Sequence, residues 1–439
     1  MAQTSRSKTN RKLAVLILLC LGVLLFSGSP AFVQQKTDLK ESPTPTSSLG
    51  SYEITPAMLP RPNVGPDAEN PPRIIPRPAD AMLHLPPGFE ISTFAEGDFK
   101  NARWMALAPN GDVFVSDADA SKIFVLRDTD GDGKADARFV FVSGLTLPFG
   151  LAFWNDYLYV GMTNAVVRFA YKPGQVEAQG PFEKIVDLPG RGYRQHWTRN
   201  VMFDPGGKKL YVTVGSESNV DAEKDPLRAT ISEYNPDGSG KRIFASGVRN
   251  AIGLAFHPAT KRLWAVVQER DRLGDDLPPD YFTEIKENGF YGWPYSYIGK
   301  NEDPRRKGER PDLVNAALVP DVLIQAHSAA LGLVFYNGRM FPKEYRGDAF
   351  IALHGSWNRS KRTGYKIIRV RFKNNKPVGG YEDFVTGWML GEDRREVWGR
   401  PVGLLVLKDG SLLISDDGAN KIWRVTYRPP GNTSTSKTR

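Results

Sequence analysis

MALAPNGDVFVSD, residues 105–117, is the stretch on which the fold turns. A small apolar segment meets an Asn-Gly turn, and an alternating strand leaves that turn and stops on small polar residues. The same unit returns as FGLAFWNDYLYVG (149–161), VMFDPGGKKLYVTVG (201–215) and GLAFHPATKRLWAVVQ (253–268). It returns twice more, as GLVFYNGRMFPKEYRGDAFIAL (332–353) and GLLVLKDGSLLISD (403–416). Each copy supplies two antiparallel strands, and several are followed by a further strand, as at 122–126, 366–371 and 421–426. Six such units, each completed to four strands, predict an all-β, six-bladed β-propeller. A β-sandwich would not repeat in this way, and the 3.6-residue period of a helical array is absent. The composition agrees, with 42 glycines, 33 prolines and 11% aromatic residues, a mixture suited to short strands and many turns. Long insertions fall at 271–314 and 386–398, and long loops on a rigid scaffold are where function usually sits.

Outward from the repeats, the chain predicts four parts. Residues 1–31 read as a secretory signal: Arg6, Lys8, Arg11 and Lys12 precede an uncharged apolar run, 13–26, and then the small-residue stretch 27–31. The run is short of the ~20 residues that span a bilayer. Export to the periplasm or the extracellular space is therefore expected, with membrane contact only through an uncleaved N-terminus. Residues 32–81 are proline-dense and read as a linker or a strap, 82–430 as the propeller, and 431–439 as a disordered tail. Four of the +9 formal charges lie in the signal, and no basic run carries interleaved aromatics, so nucleic acid is not an expected partner. The only cysteine, Cys20, lies in the apolar run, so beyond residue 31 there is no disulfide, thiolate metal site or thioether-bound haem.

In a propeller, polar residues just before each inner strand converge on a central pocket. Here they are His196, Arg199 and Asn200 before the third unit, Arg249 and Asn250 before the fourth, His327 before the fifth and Arg400 before the sixth. Several guanidinium groups around one imidazole call for a polyanionic ligand, because arginine keeps its charge and grips carboxylates bidentately. On base rates a lone histidine before a strand is structural. The arginines at equivalent repeat positions raise His196 above that reading, while His257 and His354 keep it.

The stretches RQHWTRNVMF, ASGVRNAIGLAFHP, ERDRLGDDLPPDYF with GFYGWPY, HSAALGLVFYNGRMFP, ALHGSWNRSKRTGYKIIRV and GRPVGLLVLKDGSLLISDDGANKIWRV carry a family resemblance. The chain from Leu85 to Tyr427 resembles the soluble quinoprotein sugar dehydrogenases, above all their sorbosone-dehydrogenase-like branch. The resemblance implies pyrroloquinoline quinone (PQQ) and calcium as cofactors and hydride transfer from a sugar, polyol or sugar aldehyde. It implies His196 as the general base, with Arg249 and Asn250 at the quinone carbonyl edge and Arg400 at a cofactor carboxylate. Gln195 would stand beside the base where an aspartate is expected. Val402 stands where a second arginine would lie, and Arg359, Lys361 and Arg362 compete for one cofactor-facing position. The backbone carbonyls of Glu269 and Arg270 would ligate the active-site calcium. The sequence holds no Cys-x-x-Cys-His haem site, so an external cytochrome or quinone would take the electrons.

One further motif is independent of that resemblance. Asp128, Asp130, Asp132 and Asp136, with Gly133 between the last two, match positions 1, 3, 5, 9 and 6 of an EF-hand-like loop, with Phe139 where the bidentate glutamate would stand. A structural calcium is expected there, a solvated acidic turn being the plain alternative. Tyr291, Trp293 and Tyr295 read as loop packing or a sugar wall, and Asp275 and Asp276 as caps of the insertion or aids to the metal. Two other functions remain in contention: a calcium-dependent lactonase or esterase, which needs an acidic inward set, and a non-catalytic glycan- or protein-binding propeller, which Gln195 and Val402 keep open.

Overall fold

The computed structural model of the chain describes residues 49–190 and 196–429. The expectations for residues 1–31, 431–439 and Gln195 therefore fall outside the described residues.

Six sheets, each built on four antiparallel strands, form the six blades. Two of them gain a fifth strand at the outer edge, one of which, Gly289–Phe290, runs parallel. The first blade runs Ala102–Leu107, Val113–Asp117, Lys122–Arg127 and Ala137–Ser143 from the axis outward. Inner strands at Leu151–Trp154, Val201–Phe203, Asn250–Phe256, Ala330–Phe335 and Pro401–Val406 begin the other five. Each inner strand touches the next around a closed ring. The ring is sealed by chain ends: Phe89–Glu96 becomes the outer strand of the sixth blade, paired with Lys421–Tyr427. Both ends of the propeller are thus tied into one sheet, and no blade edge is left at the closure.

The repeated residues have identifiable jobs. A Cβ on Gly253 would come within 2.4 Å of Leu331 O, and one on Gly332 within 2.3 Å of Val402 O. The glycine of each Gly-Leu pair lets a neighbouring inner strand approach at the axis, and the ladder bulges there, between Ala251 and Leu254 and between Ala330 and Leu333. The terminal Ser-Asp also works across blades. Ser116 Oγ donates to Phe149 O of the next blade (2.8 Å), and Asp117 caps the amides of Lys100, Asn101 and Ala120. Asp416 does the same for Arg400, Gly418 and Ala419. Between blades, apolar sheet faces meet in buried clusters such as Phe114, Val125, Phe141, Leu158, Val167 and Phe169.

From residue 49 onward the proline-dense stretch runs against the blades. Ser51–Tyr52 adds a strand outside Tyr381–Val385, and Arg73–Ile74 pairs with Glu396–Val397. Among the described residues no helix is long and apolar enough to cross a membrane.

Candidate active site

Antiparallel register decides which residues share an end of the axis. Asn250 lies opposite Gln268, Ala330 opposite Leu353, and Pro401 opposite Asp416. The residues after each second strand therefore sit beside those before each first strand. A cavity of about 490 Å³ opens at this end, in the size range of small-molecule and cofactor sites. Its walls are His196 and Asn219 from the third blade, Arg249, Gln268, Glu269, Asp271, Arg272 and Asp280 from the fourth, and His327, Trp357 and Asn358 from the fifth.

His196 occupies a left-handed backbone position, φ 46°. Its Nδ1 lies 2.9 Å from both Ser216 O and Ser216 Oγ. Ser216 Oγ donates its own proton to Ser218 O (2.6 Å), so both neighbours of Nδ1 are acceptors and Nδ1 carries the hydrogen. That leaves Nε2 as the basic lone pair. Burial and then the charge of Arg249 hold the ring's pKa down at about 3, so the imidazole is neutral across the physiological range. Arg199 supports this loop, donating to His196 O (2.7 Å), Thr198 O and Pro189 O. Both its terminal nitrogens are spent on backbone carbonyls and it does not line the cavity, which corrects its reading as a ligand-facing group.

Arg249 is clamped. Nη1 donates to Glu269 O (2.6 Å), Nη2 to Asn219 Oδ1 (2.9 Å) and Asp271 Oδ2 (3.4 Å), and Nε to Asn219 O (3.3 Å). One N–H, on Nη1, is left for a ligand. Asp271 also accepts from Asn358 Nδ2 (2.7 Å). Burial would raise its pKa, but His327, Arg249 and Asn358 outweigh that and hold it at about 2. His327 Nε2 donates to Gly274 O (3.0 Å), and its Nδ1 faces Asn358 Nδ2 at 3.1 Å and Asp271 at 3.7 Å. Burial opposes protonation of His327, yet Asp271 and Gly274 O raise its pKa overall. Glu269, 4% exposed, has an Oε1 with no hydrogen-bond partner, and burial pushes its pKa up to about 8. Burial likewise lifts Asp280 to about 6, although its carboxylate caps Glu269 N and Ala329 N. Asn250, just inside the ring, donates to Gln268 Oε1 (3.0 Å) and keeps an unpartnered Oδ1.

Other expected site residues stand elsewhere. Arg400 lies next to a separate axial group in which Asp417 binds His354 Nε2 (2.9 and 3.0 Å) and Arg103, while Arg400 Nε reaches only His354 O at 3.4 Å. His354 thus holds the Asp417 carboxylate by a hydrogen bond from Nε2. Arg359 does not enter the cavity: it holds the rim, bonding Asp275 O, Lys361 O and Asp276. Arg362 is buried among backbone carbonyls, and Lys361 is exposed. The Glu269 carbonyl, expected on calcium, already accepts from Arg249, and the Arg270 side chain is buried against Asp303. Trp293 is packing that also anchors Asn219 O, and Tyr291 bonds Glu284 O. In the first-blade loop, the carboxylates of Asp128, Asp130 and Asp132 lie within 4.8 Å of one another. Asp136 turns away and binds Thr129 instead.

The lining is not uniformly basic. Asp271 and Asp280 offset Arg249 and Arg272, and Glu269 adds a further carboxyl, so charge alone does not argue against a hydrolase. By position in the repeat only residues before the inner strands point to the pocket, and Glu269 and Arg270 enter through the family resemblance as carbonyl ligands. The hairpin register also brings the side chains of Gln268, Glu269 and Asp271 to the same mouth.

Fold and site together define a six-bladed propeller whose axial cavity sets a neutral, oriented imidazole beside a clamped guanidinium. A family model described as TrAA12-like matches residues 83–288 and 311–428, and the chain belongs to that family. It is 31% identical over 366 residues to a protein of Borreliella burgdorferi with no assigned activity, covering 79% of this chain and 91% of that one. The calcium structure of the Trichoderma reesei family AA12 carbohydrate-active enzyme superimposes with TM-score 0.69 at 19% identity, over 81% of this chain and 99% of that one. The holo PQQ domain of Coprinopsis cinerea pyranose dehydrogenase gives 0.68 at 19% identity, over 80% and 98%. By sequence, the whole Coprinopsis PQQ-dependent pyranose dehydrogenase is 24% identical over 289 residues, or 52% of this chain and 39% of that longer one.

Proposed function

We propose that this chain is a quinoprotein oxidoreductase that removes a hydride from a sugar or polyol carbon, using PQQ and calcium. The observation that carries the reading is His196, a neutral imidazole whose Nδ1–H is fixed by Ser216, so that its Nε2 lone pair is the basic one in the axial cavity. Similar proteins whose names state an activity include a PQQ-dependent pyranose dehydrogenase and an aldose sugar dehydrogenase, which supports the assignment.

The residues present fit such cofactors. The spare N–H of Arg249 is a cavity-lining donor awaiting an anionic or carbonyl ligand. The unpartnered Oε1 of Glu269, with Asp271, Asp280, Asn219 and Asn358, makes an oxygen-rich wall suited to a hard cation. When bound, the quinone supplies the acceptor for the hydride and calcium polarises its carbonyl oxygens. The protein's share is acid–base chemistry and placement. His196 Nε2 takes the hydroxyl proton as the C–H bond gives up its two electrons. A base at about 3 is always free but weak, because burial and then the charge of Arg249 disfavour the imidazolium. A carboxylate-bearing ligand beside Arg249 offsets that charge and strengthens the base. Arg199 and Ser216 hold the ring in place, and Asn219, Glu269 and Asp271 hold Arg249. The electrons leave to a separate carrier, a cytochrome or a quinone. We place the protein outside the cytoplasm, exported by residues 1–31, and assign Asp128, Asp130 and Asp132 to a structural calcium.

The test is dye reduction by purified protein across a panel of sugars and polyols, with PQQ and calcium added singly and together. Activity that needs both supports the proposal. Hydrolysis of a lactone with no dye reduction would favour the esterase, and neither activity would leave a binding propeller.

A further inference from the structure

Two loops form the mouth of the cavity, 271–276 and 356–362, and one short piece of the proline-dense segment ties both. Asn63 N donates to Leu273 O (2.8 Å), and Asp275 N donates to Pro66 O (2.8 Å). Asn70 spends all its polar atoms on the second loop. Its N–H donates to Trp357 O (2.7 Å), and Nδ2 donates to Arg359 O and Ser360 O (3.1 Å each). Its O and Oδ1 accept from Arg362 Nη2 at 2.9 and 3.0 Å. Arg362, 1% exposed, continues to Ser356 O and Arg394 O. This is a clasp, and attaching a strap to a blade does not require so many bonds on one residue.

What the clasped loop presents is Trp357. It is 42% exposed, the only tryptophan among the exposed large apolar side chains of the described residues, and it lines the cavity. The next residue, Asn358, donates to Asp271 in the cavity wall. A flat apolar face left in solvent beside polar acceptors matches a cyclic sugar, which has apolar C–H faces and a polar rim. A linear polyol would have to lose chain entropy to lie flat on it.

Resting on the oxidoreductase reading, we propose that Trp357 is the face on which the substrate's sugar ring stacks and that Asn70 is the positioning residue for Trp357. The full-length protein is compared with Trp357→Ala, Trp357→Phe and Asn70→Ala, using glucose as the ring sugar and sorbitol as the linear polyol. Trp357→Ala should raise KM for glucose on the order of tenfold, with kcat little changed and Trp357→Phe close to the parent. Asn70→Ala should raise KM for glucose several-fold while leaving the sorbitol KM and PQQ titration where they were. A second readout needs no activity: glucose should protect the parent, and not Trp357→Phe, from acrylamide quenching of tryptophan fluorescence. A Trp357→Ala KM equal to the parent's, or equal losses for glucose and sorbitol, overturns the proposal. If the parent reduces no dye, the oxidoreductase reading fails, and quenching still decides: no protection by glucose or by an oligosaccharide sinks the stacking role as well.

Discussion

Removing one member of the Arg103–Asp417 pair should cost far more than removing both. Arg103 is 6% exposed, its Nε has no partner, and its guanidinium lies over Phe149 and Trp197. Asp417 is its only ion-pair partner among the described residues and is held in turn by His354. Asp417→Leu strands a buried guanidinium, at about 3–5 kcal/mol. Arg103→Met leaves the carboxylate with His354, which has a pKa lowered by burial to about 4 and is neutral at pH 7. The double substitution puts apolar groups in both places and should recover most of the loss, for a coupling of about 2–3 kcal/mol. Urea or guanidinium unfolding of the four proteins at pH 7 measures this. Burial alone would raise the Asp417 pKa, but His354 and Arg103 together depress it. With the folded value below the unfolded ~3.9, the carboxylate's stabilisation is full at neutral pH and fades only as pH falls below that. The reasoning fails if Asp417→Leu costs under about 1 kcal/mol, or if the two single losses add.

Other outcomes follow from the same geometry. His196 has a folded pKa of about 3 against ~6.5 unfolded, so the unfolded state binds more protons between those values and wild-type stability falls on acidification through that window. His196→Gln should flatten the decline in a Tm series from pH 7 to 4, and parallel curves would contradict it. Arg199→Met should lower Tm and also reduce kcat for sugar oxidation by ~10-fold or more through a loosened His196 loop. A full-rate Arg199→Met enzyme would remove its positioning role. Calcium should raise the Tm of the wild type by a few degrees and that of Asp130→Asn much less, and EDTA should reverse the gain; identical responses would leave the acidic loop a solvated turn.

The fold was legible because its signal is local. A Gly-Leu pair opens four of the six units and Ser-Asp closes two, each unit keeps its turn between two strands, and those glycines and serines make contacts between blades. His196 and Arg249 were legible by position within that repeat. Asn219, Asp271 and Asn358 were not, because only strand pairing and two long loops bring them to the axis. Arg199 and Arg249 share the sequence context Arg-Asn before a strand, yet one faces carbonyls and the other the cavity. That choice is made by the loop each closes, which no local pattern encodes. Arg359 fell to the same cause, since Asp275 and Asp276 capture its guanidinium at the rim.

The most direct test of the central claim pairs PQQ titration with sugar-dependent dye reduction in wild type and His196→Ala, calcium present throughout. Both proteins should bind the quinone, and His196→Ala should lose turnover by ~10²–10⁴-fold. A correctly folded wild type that binds no PQQ, or a His196→Ala protein that turns over at the wild-type rate, would contradict it.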